Sequence, residues 1–168
     1  RRVILCGGGR VSYYLASLLE KDGISVQIIE NNRERCIELA TLLPNTTVIH
    51  GDGTDQDLLS SQGLTRCDAL VTLTGVDELN MIVSLYGTKQ NVPLVITKLS
   101  RLDNRSIIDA LSLGSVVCPK ELCCNTIIRY VRAMQKQTGA ALSIHPIADG
   151  QAEAVEFFVE RHARHCGT

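Results

Sequence analysis

No run of apolar residues in this 168-residue chain approaches the roughly 20 that a membrane-spanning helix needs. Neither sign of charge dominates. The formal net charge is -1, so no global field draws the chain to nucleic acid or to an anionic membrane surface. The seven cysteines include no C-x-x-C pair, and their spacings fit no zinc site, so no metal ligand is expected. Cys6, Cys67 and Cys118 lie in or beside apolar, strand-like runs, which points to buried free thiols in a reducing cytosol. His162 and His165 stand near Cys166 in a tail that reads as a frayed or truncated end. No signal peptide is expected. The chain opens Arg1-Arg2 without an initiating Met, as expected of a piece of a longer protein. With 45% hydrophobic and 21% charged residues, the composition suits one globular domain with a sizeable core and part of a second.

What is present is an alternation. Strand-length apolar runs at 3–6, 25–30, 48–50, 69–73, 94–99 and 115–118 are separated by segments of helical period. After the first run, Val11, Leu15, Leu18 and Leu19 recur at helical spacing. Further helices are expected over 32–43, closed by Pro44, then over a short stretch capped by Thr54 or Asp55. Three more follow at 77–89, 104–113 and 120–136. Runs that are continuously apolar, not alternating, belong to strands buried on both faces, so the fold class is α/β with a doubly wound parallel sheet. After Gln137 the rhythm changes to two strand-like runs, at 141–146 and 154–159. The expected organisation is a Rossmann-like lobe with its connector helix over 1–136 and the start of a truncated C-terminal lobe over 137–168. The alternative is a C-terminal hairpin packed on the main domain. In the connector, Leu122, Thr126, Ile127 and Tyr130 share one side and suit a dimer face.

Gly7-Gly8-Gly9 follows the first strand and opens the first helix, the context in which backbone N–H groups approach a pyrophosphate. Gly7 makes the turn and Gly9 leaves room for phosphate, but the third glycine of a G-x-G-x-x-G fingerprint is replaced by Ser12. Glu30 ends the second strand about 20 residues on, where a carboxylate accepts ribose hydroxyls and repels a 2′-phosphate. Arg10 can pair with a phosphate. Arg33 and Arg35 on the next helix either flank the adenosine or are solvated charges. Asp52 in "GDG", the Thr72–Gly75 loop and Lys98 converge on the same crevice. The acidic start of "DELNM" suits a helix N-terminus.

The segments "VILCGGGRVSYYLA", "VQIIENNRERCIELA", "VIHGDGTDQDLL", "LVTLTGVDELNMI" and "VITKLSR", in this order, resemble the RCK (or KTN) domain family. Details resemble the second of two tandem RCK units more than the first. The resemblance implies a cytoplasmic regulatory subunit without catalytic residues, peripheral to the inner face of the plasma membrane. It implies dimers or rings of RCK units set against a Trk-type membrane potassium-translocating subunit, with NAD(H) or ATP/ADP as ligand. Carried over by position, the ligand-binding residues are Gly7, Gly8, Gly9, Arg10, Val11, Glu30, Asp52, Leu73, Thr74 and Lys98. Ser12 and the bulky Tyr13-Tyr14 pair depart from the family pattern. Two other readings stand beside this one. A ligand-free interaction module would follow if Ser12 and the tyrosines closed the crevice. An NAD-dependent dehydrogenase fragment would need an acid–base pair that the chain's histidines are poorly placed to supply.

Overall fold

The computed structural model describes residues 1–102, 105–135, 141–147 and 152–157. The chain divides into two compact units, Arg1–Pro119 and Lys120–Thr168.

The first unit alternates strands and helices as the apolar runs predict. Strands β1 (Arg2–Cys6), β2 (Ser25–Glu30), β3 (Thr47–His50), β4 (Ala69–Thr72), β5 (Leu94–Lys98) and β6 (Ser115–Val117) form one sheet. Its order is β3-β2-β1-β4-β5-β6 and every pairing is parallel. Helices α1 (Arg10–Lys21), α2 (Arg33–Leu42), α3 (Gln56–Ser61), α4 (Asp77–Lys89) and α5 (Arg105–Ala110) make the crossovers. The fold is therefore the doubly wound α/β sheet of Rossmann type. α1 and α2 cover one face, where Ala16 and Leu39 pack on Val3, Leu5 and Ile28. α3 and α4 cover the other, where Leu59 and Val83 pack on Ile4, Ile29 and Leu70. The central strand β4 is clothed on both faces and buries all four of its side chains, which is why its first three residues read as an unbroken apolar run.

Caps decide several boundaries. Asn32 accepts the Arg35 N–H at the start of α2, and Asp55 accepts the Asp57 and Leu58 N–H groups at the start of α3. Of the two candidates for that second cap, Asp55 is the one used, because Thr54 is engaged by Asp52. α5 is shorter than its periodicity predicts, ending at Ala110 instead of continuing to 113. Cys6, Cys36, Cys67 and Cys118 are buried, whereas Cys123 and Cys124 are exposed. Burial, with Cys67 adding to it, pushes the Cys6 thiol up to about 12, so it serves as a small hydrophobe. No group of His, Cys, Asp and Glu among the described residues is arranged to hold a metal ion. His162, His165 and Cys166 lie outside the described residues.

The second unit holds nearly all of α6 (Pro119–Gln135) and the antiparallel pair β7 (Ala141–Ile147) and β8 (Ala152–Phe157). On α6, Leu122, Ile127 and Tyr130 are exposed, and the Thr126 hydroxyl donates back to the Leu122 carbonyl. Among the described residues no helix is long and apolar enough to cross a membrane.

Ser12 and Ala16 are the two buried positions of α1, and both are small. A fully buried serine must satisfy its hydroxyl, and Ser12 does so by donating to the Gly7 carbonyl. Ser12→Ala should therefore lower stability by about 1 kcal/mol. Ser12→Val, which adds volume between helix and sheet, should cost roughly 1–3 kcal/mol. Urea unfolding of the two variants checks both values and their order.

Candidate functional site

β1 and β4 lie side by side, but the chain leaves them in opposite directions: β1 leads through α1 to β2, and β4 through α4 to β5. The loops after them diverge and leave a crevice at the carboxyl edge of the sheet. A cleft of about 290 Å³ opens there. Its walls are the three glycines, Ile29, Glu30 and Asn31 on one side. Asp52, Gly53, Thr54, Leu73, Thr74, Gly75, Val76 and Leu79 complete it. Of the residues expected at the site, Gly7, Gly8, Gly9, Glu30, Asp52, Leu73 and Thr74 line this cleft. Arg10, Val11 and Lys98 do not.

The glycines serve different ends. Gly7 has φ +102°, and a Cβ there would sit 2.9 Å from the Leu73 carbonyl carbon and the Thr74 nitrogen. Gly8 is buried, and a Cβ would press on the side chains of Leu39 and Glu30. Gly9 is the N-cap of α1, and a Cβ there would meet no atom within 4 Å. The first turn of α1 has neither a side-chain cap nor an acidic residue. Its orphan N–H groups and the positive end of the helix dipole are thus free for an anion. Arg10 and Val11 contribute backbone donors to that turn while their side chains are exposed. Tyr13 packs against the sheet core and Tyr14 points to solvent, so neither closes the cleft.

Glu30 binds the loop as well as facing the cleft. One carboxylate oxygen accepts the Gly8 N–H at 2.6 Å and the other the Asn32 N–H at 2.7 Å. Each oxygen keeps a further lone pair for a ligand hydroxyl. From α2, Arg35 Nε donates to the Gly8 carbonyl at 2.7 Å, and Arg35 also pairs with Glu38. Arg35 is neither a solvated charge nor a residue of the cleft wall; it braces the turn. Across the cleft, Asp52 Oδ1 accepts both the N–H and the hydroxyl of Thr54 at 2.8 Å. The backbone bond first, then the hydroxyl, holds the Asp52 carboxyl below its ordinary value. Gly53 lies against Cys6 at the floor of the same wall.

The third wall is organised by a residue that sequence reasoning passed over. Asn80 is fully buried on α4. Its carbonyl oxygen accepts the N–H and the hydroxyl of Thr74, at 2.9 and 2.8 Å. Its amide donates to the Thr74 and Lys98 carbonyls. All of its side-chain bonds therefore go to the loop after β4 and to the end of β5. The Lys98 ammonium donates to the Thr74 carbonyl at 2.7 Å, which reinforces the same loop. Asp77 accepts the Ser100 N–H, so the acid that opens α4 ties down the chain after β5. The signal for Asn80 was its spacing: with Val83, Ser84 and Gly87 it occupies the core-facing stripe of α4, where a polar side chain must have partners.

With this geometry in view, comparison with known proteins is specific. Residues 3–119 match the sequence profile of the TrkA-N domain. A Trk system potassium uptake protein trkA homolog 1 from Methanosarcina mazei is 31% identical over 99% of this chain. The Trk system potassium uptake protein TrkA of Halomonas elongata is 31% identical over 93%. The chain spans 40% and 33% of the length of these two relatives. Among solved structures, the TrkA-N domain of the inner membrane protein ybaL from Escherichia coli superposes with a TM-score of 0.68 at 18% identity, over 76% of this chain and 93% of that one. The Shewanella denitrificans Kef C-terminal domain in its AMP-bound form gives 0.67 at 16% identity, over 82% and 84%. These two likenesses concern the fold alone, while the profile match covers most of the chain: this chain belongs to the TrkA-N domain family.

Proposed function

We propose that this chain is a nucleotide-sensing regulatory domain of a Trk-type potassium uptake system. The observation that carries the reading is the pairing, in one cleft, of the unspent Gly9 N–H, with the uncapped start of α1 directly behind it, and the Glu30 carboxylate. The donor suits a phosphate and the carboxylate suits ribose hydroxyls, so the residues present fit an adenine nucleotide. The names of the relatives supply the process, potassium uptake. In this reading the domain works on the cytoplasmic side, peripheral to the membrane. It assembles with copies of itself and with a potassium-translocating membrane subunit, and ligand occupancy sets ion flux. Its role is regulatory and not catalytic.

NAD(H) heads the ligand candidates, with ATP/ADP as the alternatives. Glu30 and Asp52 give the cleft wall two carboxylates, and no Lys or Arg lines it among the described residues. An internal pyrophosphate is tolerated better there than a terminal triphosphate, and a 2′-phosphate beside Glu30 is opposed directly.

Calorimetry of the purified chain should show NADH binding more tightly than NADPH by about ten-fold, the equivalent of one good charge contact. Absence of heat with NADH, NAD, ATP and ADP alike would sink the reading. Glu30→Gln keeps the side-chain length but removes the charge. It should weaken NADH by about ten-fold and narrow the NADH/NADPH ratio toward one. An unchanged ratio would place the ribose elsewhere.

A further inference from the structure

The three-glycine turn contains two peptide planes, and side chains hold both. The Gly7–Gly8 plane gives its carbonyl to the Ser12 hydroxyl and its N–H to Glu30. The Gly8–Gly9 plane gives its carbonyl to Arg35 Nε at 2.7 Å. Its N–H, that of Gly9, has no partner among the described residues. A trans peptide is planar, with N–H and C=O on opposite edges, and no cis bond occurs here. The Gly8 carbonyl is drawn toward α2, so the Gly9 N–H points away from α2, and Gly9 lines the cleft.

We propose that Arg35 is a positioning residue of the glycine turn: by holding the Gly8 carbonyl it aims the Gly9 N–H at the phosphate of a bound nucleotide. The inference rests on the reading of this turn as a phosphate site. Glycine on both sides leaves that peptide plane soft, and rotated the other way it would present a carbonyl oxygen to the anion. Arg35 is suited to prevent this because it is itself fixed. Its backbone N–H donates to the Asn32 cap at 2.9 Å, and its Nη1 lies 2.6 Å from Glu38. Its side chain is only 25% exposed. One nitrogen of the fork serves Glu38 and another serves Gly8, a division that a lysine ammonium cannot reproduce.

Two variants test this. Arg35→Ala removes the side chain, and Arg35→Met keeps an apolar stem to pack but has no donor. In glycine-labelled NMR spectra of the ligand-free chain, the Gly9 amide should shift or broaden in both variants, while Gly23 and Gly63 stay in place and report an intact fold. Calorimetry should show NADH affinity falling about ten-fold, with adenosine, which lacks phosphate, unaffected. An unmoved Gly9 amide overturns the proposal whatever the ligand does. Equal losses for adenosine and NADH also overturn it, because they would make Arg35 a direct contact to ribose or base. If the unaltered chain binds no NADH, the nucleotide reading fails separately, and the Gly9 amide still decides whether Arg35 sets that peptide.

Discussion

The close approach of Gly7 to the backbone of Leu73 and Thr74 is the constraint on which the rest of the site depends. The two neighbouring strands end in turns that nearly touch before the chain parts in opposite directions. A side chain at Gly7 would push those turns apart, and with them α1 and the Thr74 loop. The cleft, the free end of α1 and the stations of Glu30 and Asp52 all follow from that contact. The parallel order β3-β2-β1-β4-β5-β6 fixes where it occurs, between the neighbouring strands β1 and β4, whose outgoing crossovers diverge.

Each wall of the cleft is then secured by polar groups of the chain itself. Glu30 and Arg35 fasten the glycine turn to β2 and α2. Asp52 folds its own loop around Thr54. Asn80 and Lys98 fasten the ends of β4 and β5. Bonds within the chain thus shape every wall of the cleft. Glu30 is both a part of the frame and a group that faces the cleft. Anything that changes its engagement in the cleft is felt by the turn as well.

Much of this was legible in the sequence because it depends on local pattern. Buried parallel strands are apolar without alternation, so β2 could be bounded to the residue. Gly7 and Glu30 are spaced by the fold's own repeat and could be named as partners in one crevice. Other features depend on approach in three dimensions, which no window of sequence contains. Arg35 sits on α2 like any helix charge, and only the meeting of α2 with the glycine turn reveals its bond to Gly8. Asn80 was passed over because its partners come from the loop after β4 and from the end of β5. Ser12 looked like a lost letter of a fingerprint. Its hydroxyl instead finds the carbonyl five residues back, so the helix keeps its seat. The tyrosines after it stay out of the cleft wall: one packs on the core and the other faces water.

The three adjacent glycines show how little a shared letter says about shared tolerance. At Gly7 the backbone itself forbids a substituent, so natural variation there is barred at the level of folding. At Gly8 the obstacles are the side chains of Leu39 and Glu30, which can drift together with it over evolutionary time. At Gly9 nothing in the protein objects to a methyl group, and only an occupant of the cleft would. On the protein's own contacts the first glycine must stay, the second can be traded in concert with its neighbours, and the third can be lost freely. The third glycine answers to the space of the cleft and not to the fold.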